Sequence, residues 1–232
     1  MDAIILAAGL GTRLRPHTLT TPKPLLPVRG RPILDWTLGA LPKQVDRVVV
    51  VVHYLAEQVE DYLRHQRHVP SWTTVRQHEP RGTGDAVRSC QKHIRSERFL
   101  CLNGDDLYGA ADLAALAECE AGLLVHPVDE PRRFGIAFLK REGTLEKLVE
   151  KPDLQGRQLA NTGAYVFPRN VFDIELKLSP RGEYEVTDYI SALAARGTVR
   201  VVETKFWLPI GTVEVWQQAQ NVDLEAVLTT SR

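Results

Sequence analysis

The stretch AIILAAGLGTR, residues 3–13, joins an apolar run to a glycine-rich turn and decides the fold class. Ala3 to Ala8 is continuously apolar, which is typical of a strand buried on both faces of a parallel sheet. Gly9 and Gly11 follow it, and glycines there let backbone amides approach an anion closely. Because open parallel sheets bind ligands at the carboxyl ends of their strands, this turn is a candidate ligand site.

Two familiar phosphate-binding loops do not fit this turn. In a P-loop the second glycine is followed by Lys and then Ser or Thr, whereas Thr12-Arg13 follows Gly11 here. A dinucleotide-binding fingerprint needs a third glycine, and position 14 holds Leu14. Taken alone, the two glycines indicate either an anion-binding turn or simply a tight strand exit.

Further apolar runs alternate with helix-like patterns along the chain. Arg47 to His53 contains five consecutive valines and is the clearest central strand. The alternation predicts an α/β protein with a mostly parallel sheet between helices. The other predicted strands are Phe99–Asn103, Gly122–Pro127, Gly135–Leu139 and Ala164–Phe167. The predicted helices are Leu34–Leu41, Leu55–Arg67, Asp85–Ile94, Asp112–Glu120, Val186–Ala195 and Val213–Leu228.

The segment after the glycine turn is rich in proline. Five prolines fall within residues 16–32, and this density predicts a stiff loop without regular structure. Arg13, Arg15 and Lys23 lie in or beside it. A long stiff loop in a compact protein usually serves a function, although an ordinary surface connection is the alternative.

Charge and cysteine usage narrow the classes of function. The 232 residues carry 29 basic and 29 acidic side chains, and this balance argues against a nucleic-acid-binding face. No apolar run approaches the roughly 18 residues that cross a bilayer, and the first residues lack the basic start of a signal peptide, so a cytoplasmic protein is expected. Cys90, Cys101 and Cys119 show no paired spacing and are expected to be reduced core residues.

A longer signature extends the glycine turn. GLGTRLRP at residues 9–16, PKPLLPV at residues 22–28 and GRPI at residues 30–33 closely resemble the signature of the sugar-1-phosphate nucleotidyltransferases. That family includes glucose-1-phosphate thymidylyl- and uridylyltransferases and mannose-1-phosphate guanylyltransferases. The resemblance implies a three-layer α/β/α, Rossmann-like fold with a mixed, mostly parallel sheet. It also implies that the turn wraps the triphosphate of a nucleotide, through Leu6, Ala8, Gly9, Gly11, Thr12 and Arg13.

The resemblance continues with the residues expected to carry catalysis and base recognition. Arg13 and Lys23 match the cations that hold the phosphates, and such cations stabilise developing phosphoryl charge. Gln77, with Gly82 and Thr83 downstream, matches the element that reads the base. A side-chain amide offers both a donor and an acceptor to a pyrimidine edge, so UTP or dTTP is expected ahead of CTP, with GTP as the main rival.

A carboxylate is expected to hold Mg²⁺. Asp105, in the sequence Asn-Gly-Asp-Asp that follows the strand Phe99–Asn103, matches the family's principal magnesium ligand. Mg²⁺ keeps several waters, so one or two carboxylates and the substrate phosphates suffice. The neighbouring Asp106 either joins the site or faces away from it. A turn capped by acidic residues is the alternative explanation of the motif.

The second half of the chain resembles the family's acceptor pocket. Gly135, Glu150, Lys151, Asn161 and Thr162 match its positions, with Glu150 on sugar hydroxyls and Lys151 on the sugar phosphate. A hexose-type sugar 1-phosphate is the expected acceptor. Phosphocholine is the alternative, since some relatives transfer CMP to it and an aromatic cage of Tyr184, Tyr189 and Trp207 could hold a quaternary ammonium.

One position departs from the family pattern. Two residues after its tryptophan, here Trp207, the family carries a second magnesium carboxylate, and this chain has Pro209 there. Because of this departure, the alternative that the protein is a homologue that binds nucleotides without catalysis stays open. The expected organisation is one domain, residues 1–232, with nucleotide binding in 1–107 and acceptor binding in 108–232. The sequence leaves the oligomeric state open, a homo-oligomer included.

Overall fold

The computed structural model describes residues 1–228 as alternating strands and helices. The strands are β1 Asp2–Leu6, β2 Pro27–Val28, β3 Arg31–Pro32, β4 Arg47–Val52, β5 Ser71–Arg76, β6 Arg98–Asn103, β7 Asp106–Tyr108, β8 Gly122–Val128, β9 Gly135–Leu139, β10 Leu145–Glu150, β11 Gln158–Pro168, β12 Arg200–Glu203 and β13 Trp207–Pro209. The α-helices are α1 Ile33–Gly39, α2 Ala56–His65, α3 Thr83–Ser89, α4 Ala110–Ala117, α5 Val186–Arg196, α6 Val213–Ala219 and α7 Glu225–Leu228.

The strand that opens the chain lies in the middle of the main sheet. β1 pairs in parallel with β4 on one side and β6 on the other, and β5 extends the parallel part beyond β4. Ile4 and Ile5 are fully buried although they point to opposite faces. A strand covered on both faces has no polar side, which explains its continuous apolar sequence and that of β4.

The other half of the sheet is largely antiparallel. β11 pairs antiparallel with β6, β8 and β9, and β10 forms a hairpin with β9. β12 returns parallel to β8 at the margin. The sheet is therefore mixed, with its parallel part around β1, and the predicted fold class is confirmed.

Helices cover both faces of the sheet and form two cores. Ile5, Val48 and Val50 belong to the core that packs against α1, α2 and α4. Ile4 and Val49 belong to the core that packs against α3 and α5. Each fully buried aliphatic side chain contributes about 1.5–3 kcal/mol relative to an exposed one, and both cores use the central strands. This arrangement confirms the three-layer α/β/α fold.

The proline-rich segment is more regular than the sequence predicts. It contains three short 3-10 turns, at Thr12–Leu14, His17–Leu19 and Lys23–Leu25, followed by the small β2–β3 pair. Proline is tolerated at the start of such turns and at the edge of a strand pair, where its missing N–H is not needed. The prediction of a loop without regular structure was therefore wrong in part.

Other differences concern the ends and edges of the fold. The predicted last helix is divided into α6 and α7. The sequence did not predict β5, β10, β12 or β13, which are short, half-exposed or at sheet margins. β11 is longer than its predicted core segment. The final residues of the predicted domain, 229–232, lie outside the described residues, and the division of the chain after residue 107 stays a prediction.

The remaining composition-based expectations concern membranes and cysteines. No helix within residues 1–228 is both long and apolar enough to cross a membrane. Cys90 and Cys101 are buried and free, as expected, and burial raises the pKa of the Cys101 thiol well above its usual range. Cys119 is also free but only half-buried.

Candidate functional site

A cavity of about 330 Å³ opens at the carboxyl ends of β1, β5 and β6. Leu6 ends β1, Asn103 ends β6 and Gln77 directly follows β5, so the parallel strands deliver these residues to one edge of the sheet. The structure brings together most of the predicted nucleotide-binding and catalytic residues here. Its lining includes Leu6, Ala8, Gly9, Lys23, Gln77, Gly82, Thr83 and Asp105.

A second cavity of about 170 Å³ adjoins the first and holds the remaining residues predicted for the triphosphate. It shares Gly9, Lys23 and Asp105 with the first cavity and adds Gly11, Thr12, Arg13, Leu14 and Gly211. Two cations and a glycine turn therefore surround a small space beside Asp105. Cationic side chains and free backbone amides are the groups that bind phosphate oxygens.

Gly11 is required by the shape of this turn. Its φ of +61° lies in the left-handed region, and a Cβ there would meet Thr18 Cγ2 at 2.9 Å. The Thr18 hydroxyl also donates to the Gly11 carbonyl at 2.8 Å, which fixes the turn against the next segment. A side chain at position 11 would displace the backbone that surrounds the smaller cavity.

The two cavities meet at an ion pair. Lys23 Nζ lies 2.5 Å from Asp105 Oδ2, although 82 residues separate them in the chain. The Lys23 side chain is 7% exposed and that of Asp105 is 38% exposed. The lysine is thus held in place by the proline-rich segment, while the carboxylate still faces open space.

Asp106 differs sharply from its neighbour. It is buried, and its Oδ2 accepts a hydrogen bond from Trp207 Nε1 at 3.2 Å. Burial, and then the negative charge of Asp105, raise the pKa of Asp106 to about 8, while Lys23 and Trp207 act in the opposite direction. In the β7–β13 ladder, Pro209 lies directly opposite Asp106. Asp106 therefore faces Trp207 inside the protein, which answers the question that the sequence left open.

Asp105 is suited to bind Mg²⁺ as one of few protein ligands, with substrate phosphates as further ligands. Within residues 1–228, no cluster of three or more His, Cys, Asp or Glu side chains could hold a metal ion. Mg²⁺ is commonly held by one or two carboxylates, with substrate phosphates and water completing its oxygen ligands. Asp105 has this placement, since its half-exposed carboxylate borders the cavity that contains Arg13 and Lys23.

Gln77 is buried and lines the 330 Å³ cavity, but not the smaller cavity that contains Arg13. Its Nε2 donates to the Gly82 carbonyl and to Asp85 Oδ2, both at 3.2 Å. The amide group is therefore already used as a donor within the protein. This geometry differs from the expectation that Gln77 offers both a donor and an acceptor to a ligand.

Thr83 and Gly82 join this end of the cavity to the second half of the chain. Thr83 Oγ1 accepts a hydrogen bond from Val186 N at 3.1 Å, at the start of α5. Gly82 has a φ of +107°, and a Cβ there would lie 2.3 Å from the Tyr184 carbonyl oxygen. Only glycine permits this close backbone contact.

The predicted acceptor residues separate into two groups. Gly135 and Glu150 line a third cavity of about 370 Å³, formed with Arg181 and residues of α5. Lys151 follows directly, and its exposed Nζ lies 3.8 Å from Glu150 Oε1. These residues form an open polar surface in which both charges remain accessible.

The second group is used inside the protein. Asn161 Nδ2 donates to the Tyr165 hydroxyl at 2.7 Å, and its Oδ1 accepts from Gly163 N at 3.2 Å. Thr162 is 1% exposed and donates its hydroxyl to the Leu124 carbonyl at 3.0 Å. The Thr162 side chain is therefore unavailable to an acceptor in this conformation, contrary to the role expected for it.

The aromatic residues considered for phosphocholine are dispersed. Tyr189 is fully buried and packs against Phe167, with a ring distance of 6.2 Å. Trp207 instead packs edge-on against Phe134 at 5.4 Å. Tyr184 lies beneath the Arg88 guanidinium, 5.2 Å from it. Since Tyr189 is enclosed in the core, the three rings do not form the cage considered from the sequence.

The sequence assigned no role to several residues that lie at or behind these cavities. Asp85 holds the Gln77 amide, Glu183 reaches the larger cavity, and Arg181 and Glu185 border the acceptor surface. Glu183 lies 106 positions after Gln77, so no local spacing relates the two residues. Asn103 and Gly104 were visible within the Asn-Gly-Asp-Asp motif, but only Asp105 was assigned a role.

Curated relatives are similar in sequence to most of this chain. The bifunctional protein GlmU of Methanocaldococcus jannaschii is 35% identical over 91% of the chain, and the chain spans about half of GlmU (51%). The UTP–glucose-1-phosphate uridylyltransferase AglF of Haloferax volcanii is 34% identical over 95% of the chain and 96% of its own length.

Solved structures share the fold. A candidate glucose-1-phosphate thymidylyltransferase of Bacillus anthracis, solved with sucrose, superposes with a TM-score of 0.84 and 27% identity, covering 96% of this chain and 97% of its own. A UDP-glucose pyrophosphorylase solved with UDP-glucose has a TM-score of 0.83 at 23% identity, covering 95% and 97%. At that identity the second likeness concerns the fold alone.

A sequence model of one family matches nearly the entire chain. The model described as nucleotidyl transferase covers residues 2–226, which include all three cavities. Together with the identity to AglF, this match establishes the family. The chain belongs to the nucleotidyl transferase family.

Proposed function

We propose that this protein transfers a nucleoside monophosphate from a pyrimidine nucleoside triphosphate to a sugar 1-phosphate, forming a nucleoside diphosphate sugar and pyrophosphate. The main support is the pair of adjoining cavities that share Gly9, Lys23 and Asp105. One has the space and polarity for a nucleoside, and the other gathers the cations for its phosphates. The names of AglF and of the thymidylyltransferase agree with a pyrimidine nucleotide and glucose 1-phosphate.

The proposed reaction is a direct in-line displacement. An oxygen of the acceptor phosphate attacks the α-phosphorus, the bond to the β-phosphate oxygen breaks, and pyrophosphate leaves. A phosphate monoester is largely dianionic near neutral pH, so it needs no general base. Arg13 and Lys23 bind the triphosphate and stabilise the charge that develops on the departing pyrophosphate.

Asp105 is the residue proposed to hold Mg²⁺. When bound, the ion supplies positive charge to the phosphate oxygens, which lowers the barrier to displacement. Lys23 neutralises Asp105 in the ion pair described above, and it is equally close to the phosphate cavity. The lysine can therefore exchange its carboxylate partner for a phosphate oxygen without leaving its buried position.

The acceptor is proposed to bind along Gly135, Glu150 and Lys151, with Asn161 at its inner end. The Glu150 carboxylate can accept hydrogen bonds from sugar hydroxyls, and the exposed Lys151 ammonium can bind the sugar phosphate. Phosphocholine is disfavoured because Tyr189 is fully buried and cannot contribute to a cage. Nucleoside triphosphates and sugar phosphates do not cross membranes freely, so we place the activity in the cytoplasm, in nucleotide-sugar biosynthesis.

A substrate panel tests the proposal. Purified protein, Mg²⁺ and one triphosphate at a time (UTP, dTTP, CTP, GTP, ATP) are combined with glucose, galactose, mannose and N-acetylglucosamine 1-phosphates and with phosphocholine. Pyrophosphate release is followed with a coupled assay, and the sugar nucleotide is identified by mass spectrometry. Turnover of UTP or dTTP with at least one sugar 1-phosphate is expected.

Two outcomes would contradict the proposal. Activity on phosphocholine and on no sugar phosphate would identify a different acceptor class. Binding of a triphosphate and a sugar phosphate together, without pyrophosphate release for any pair, would identify a homologue that binds nucleotides without catalysis. The second outcome is a specific concern because Pro209 has no side-chain ligand for metal.

A further inference from the structure

The network behind Gln77 restricts which of its atoms a ligand can reach. Gln77 and Asp85 are 6% and 7% exposed. Gln77 lines the 330 Å³ cavity, and Asp85 lies behind it in α3. Gln77 Nε2 donates to the Gly82 carbonyl and to Asp85 Oδ2. Both partners are acceptors only, because an ionised carboxylate and a backbone carbonyl have no proton to give. The amide nitrogen must therefore face them, and the orientation of the Gln77 side chain is fixed by chemistry.

Asp85 is itself held in place as an acceptor. Its other oxygen, Oδ1, accepts hydrogen bonds from Arg81 Nη2 at 3.0 Å and from Arg88 Nη2 at 3.1 Å. Both guanidinium groups also lie over the Tyr184 ring, at 6.0 and 5.2 Å. The two arginines hold Oδ1 and leave Oδ2 to Gln77 alone.

The consequence is a single free atom on Gln77. No donor within residues 1–228 reaches Gln77 Oε1, and this oxygen is not among their fully enclosed, unpartnered side-chain atoms. Gln77 lines the 330 Å³ cavity and also a neighbouring cavity of about 410 Å³ that contains Asp85 and its two arginines. Because Nε2 faces Asp85, we assign Oε1 to the 330 Å³ cavity. The cavity is also lined by Pro80, Gly82 and Ala86, and by Glu183, whose Cβ lies beside Gly82. A nucleobase in this cavity meets a hydrogen-bond acceptor at Gln77 Oε1.

We propose that Asp85 is a positioning residue that sets nucleobase choice by fixing the Gln77 amide with its oxygen toward the base. The site then selects bases with a ring N–H on the Watson–Crick edge, namely uracil, thymine, hypoxanthine and guanine. It rejects cytosine and adenine, which present a bare ring nitrogen there and would place two acceptors face to face. This inference rests on the proposed function, since it assumes that the larger cavity binds the nucleoside.

Binding to the wild-type protein gives the first test, and it requires no turnover. Isothermal titration calorimetry with Mg²⁺ and without acceptor compares UTP with CTP, and ITP with ATP. Each pair exchanges a ring N–H for a bare nitrogen. UTP is expected to bind at least about tenfold more tightly than CTP, because an unpaired polar group in a closed site costs a factor of this size or more. ITP is likewise expected to bind more tightly than ATP, and N3-methyl-UTP should lose the advantage of UTP.

The substitution Asp85→Asn tests the positioning role itself. Its Oδ1 would stay with the two arginines, so Nδ2 would replace the acceptor that faces Gln77. The Gln77 amide would then lie between this new donor and the Gly82 carbonyl, so no single orientation would satisfy both contacts. The turned orientation, which the wild type excludes, would present Nε2 to the base and donate to cytosine. The ratio of UTP to CTP affinity is expected to fall by about tenfold or more, with CTP binding improved in absolute terms. A merely structural loss would weaken both nucleotides together.

A matched control and two opposing outcomes complete the experiment. Glu57→Gln makes the same chemical change at an exposed carboxylate, paired with Arg76 at 2.7 Å, and should leave the UTP to CTP ratio unchanged. Equal affinity of the wild type for UTP and CTP, or an unchanged ratio in a folded Asp85→Asn protein, would overturn the inference. If the variant does not fold, the wild-type comparison still decides. Intact base preference without any pyrophosphate release would instead refute the proposed function and leave this inference standing.

Discussion

Lys23 and Asp105 form an ion pair of 2.5 Å that joins the proline-rich segment to the end of β6. A lysine that is 7% exposed needs a partner, because an unpaired buried charge is costly. The carboxylate provides one and remains accessible from the phosphate cavity. The pair therefore keeps a cation ready beside the site where phosphate charge develops, and it explains why so rigid a segment carries the lysine.

Removal of either phosphate-binding cation should impair turnover more than nucleotide binding. Arg13→Ala and Lys23→Ala are each expected to lower kcat on the order of a hundredfold, as loss of one preorganised charge donor does. Steady-state pyrophosphate release measures the effect, and circular dichroism checks the fold. Arg15→Ala is the control, since Arg15 is exposed and borders neither cavity. Near-normal kinetics in folded Arg13→Ala would refute its role.

The acceptor surface can be tested separately from the nucleotide site. Glu150→Gln should raise KM for the sugar 1-phosphate by about tenfold, with little change in KM for UTP. The substitution removes the charge and one of the two oxygens that accept hydrogen bonds from sugar hydroxyls. Glu146→Gln makes the same change at an exposed position of the same strand, β10, and should behave like the wild type. A rise in the KM for UTP alone would show that Glu150 serves the nucleotide instead.

The parts of the fold that the sequence predicted are those with local signals. β1 and β4 are buried on both faces, so their apolar runs are unbroken. β5 and β12 lie at sheet margins, where half-exposed positions break the pattern and no periodicity marks a strand. β13 has only three residues and contains Pro209, which a sequence reading assigns to a loop.

The same distinction applies to the site. The glycine turn, Gln77 and Asp105 occur in motifs whose spacing is visible, and the parallel strands bring them to one edge. The direction of the Gln77 amide depends on Asp85, and the burial of Asp106 depends on Trp207, 101 residues away. Such pairings arise from tertiary contacts. No pattern within one chain segment encodes them.

Asp35 connects the proline-rich segment to the rest of the protein and should affect stability through pH. Burial raises the pKa of Asp35, but hydrogen bonds from His68, Tyr62 and Arg31 outweigh it and hold that pKa well below its usual value. A carboxyl whose folded pKa is depressed stabilises the protein above its unfolded pKa of about 4, and the contribution is lost as the pH falls below it. Asp35→Asn should therefore lower the free energy of unfolding by about 1–3 kcal/mol at pH 7.

The pH series provides the check. Urea denaturation of the wild type and Asp35→Asn at pH 7 and pH 3 should show a difference in unfolding free energy that shrinks at the lower pH. Asp61→Asn, on the exposed face of α2 with Arg64 at 3.4 Å, should change stability by less than about 0.5 kcal/mol at either pH. A difference for Asp35→Asn that grows on acidification would show that the carboxylate destabilises the fold.

Turnover should require Mg²⁺ bound at Asp105. Treatment with EDTA is expected to abolish pyrophosphate release, and Mg²⁺ to restore it. Asp105→Asn should lose most activity but retain measurable nucleotide affinity, because the glycine turn and Arg13 remain. Calorimetry in the presence and absence of Mg²⁺ separates the two effects. Full activity in EDTA would remove Asp105 from the role of metal ligand.

Pro209 offers the most direct test of how few protein ligands the ion needs. It lies opposite Asp106 in the β7–β13 ladder, beside the main chain of Asp105, whose carbonyl accepts from Ile210 N at 3.3 Å. In the family pattern this position carries a second magnesium carboxylate, so an aspartate here is expected to supply one next to Asp105. Pro209→Asp is therefore expected to lower the Mg²⁺ concentration that gives half-maximal activity several-fold, and to tighten Mg²⁺ binding in the nucleotide complex.

The geometry also predicts a cost for that substitution. Directly opposed residues in an antiparallel pair have Cβ atoms about 4.5–5.5 Å apart, so the new charge would stand close to buried Asp106. Loss of the proline further loosens the unfolded chain, and together these effects should lower the melting temperature by a few degrees. Pro209→Ala removes the ring without adding a ligand, so it should share the effect of proline loss and keep the Mg²⁺ requirement of the wild type.

An equal shift in Mg²⁺ requirement for both variants would mean that backbone freedom is responsible. Activity found only in Pro209→Asp would mean that the natural protein binds nucleotides without catalysis.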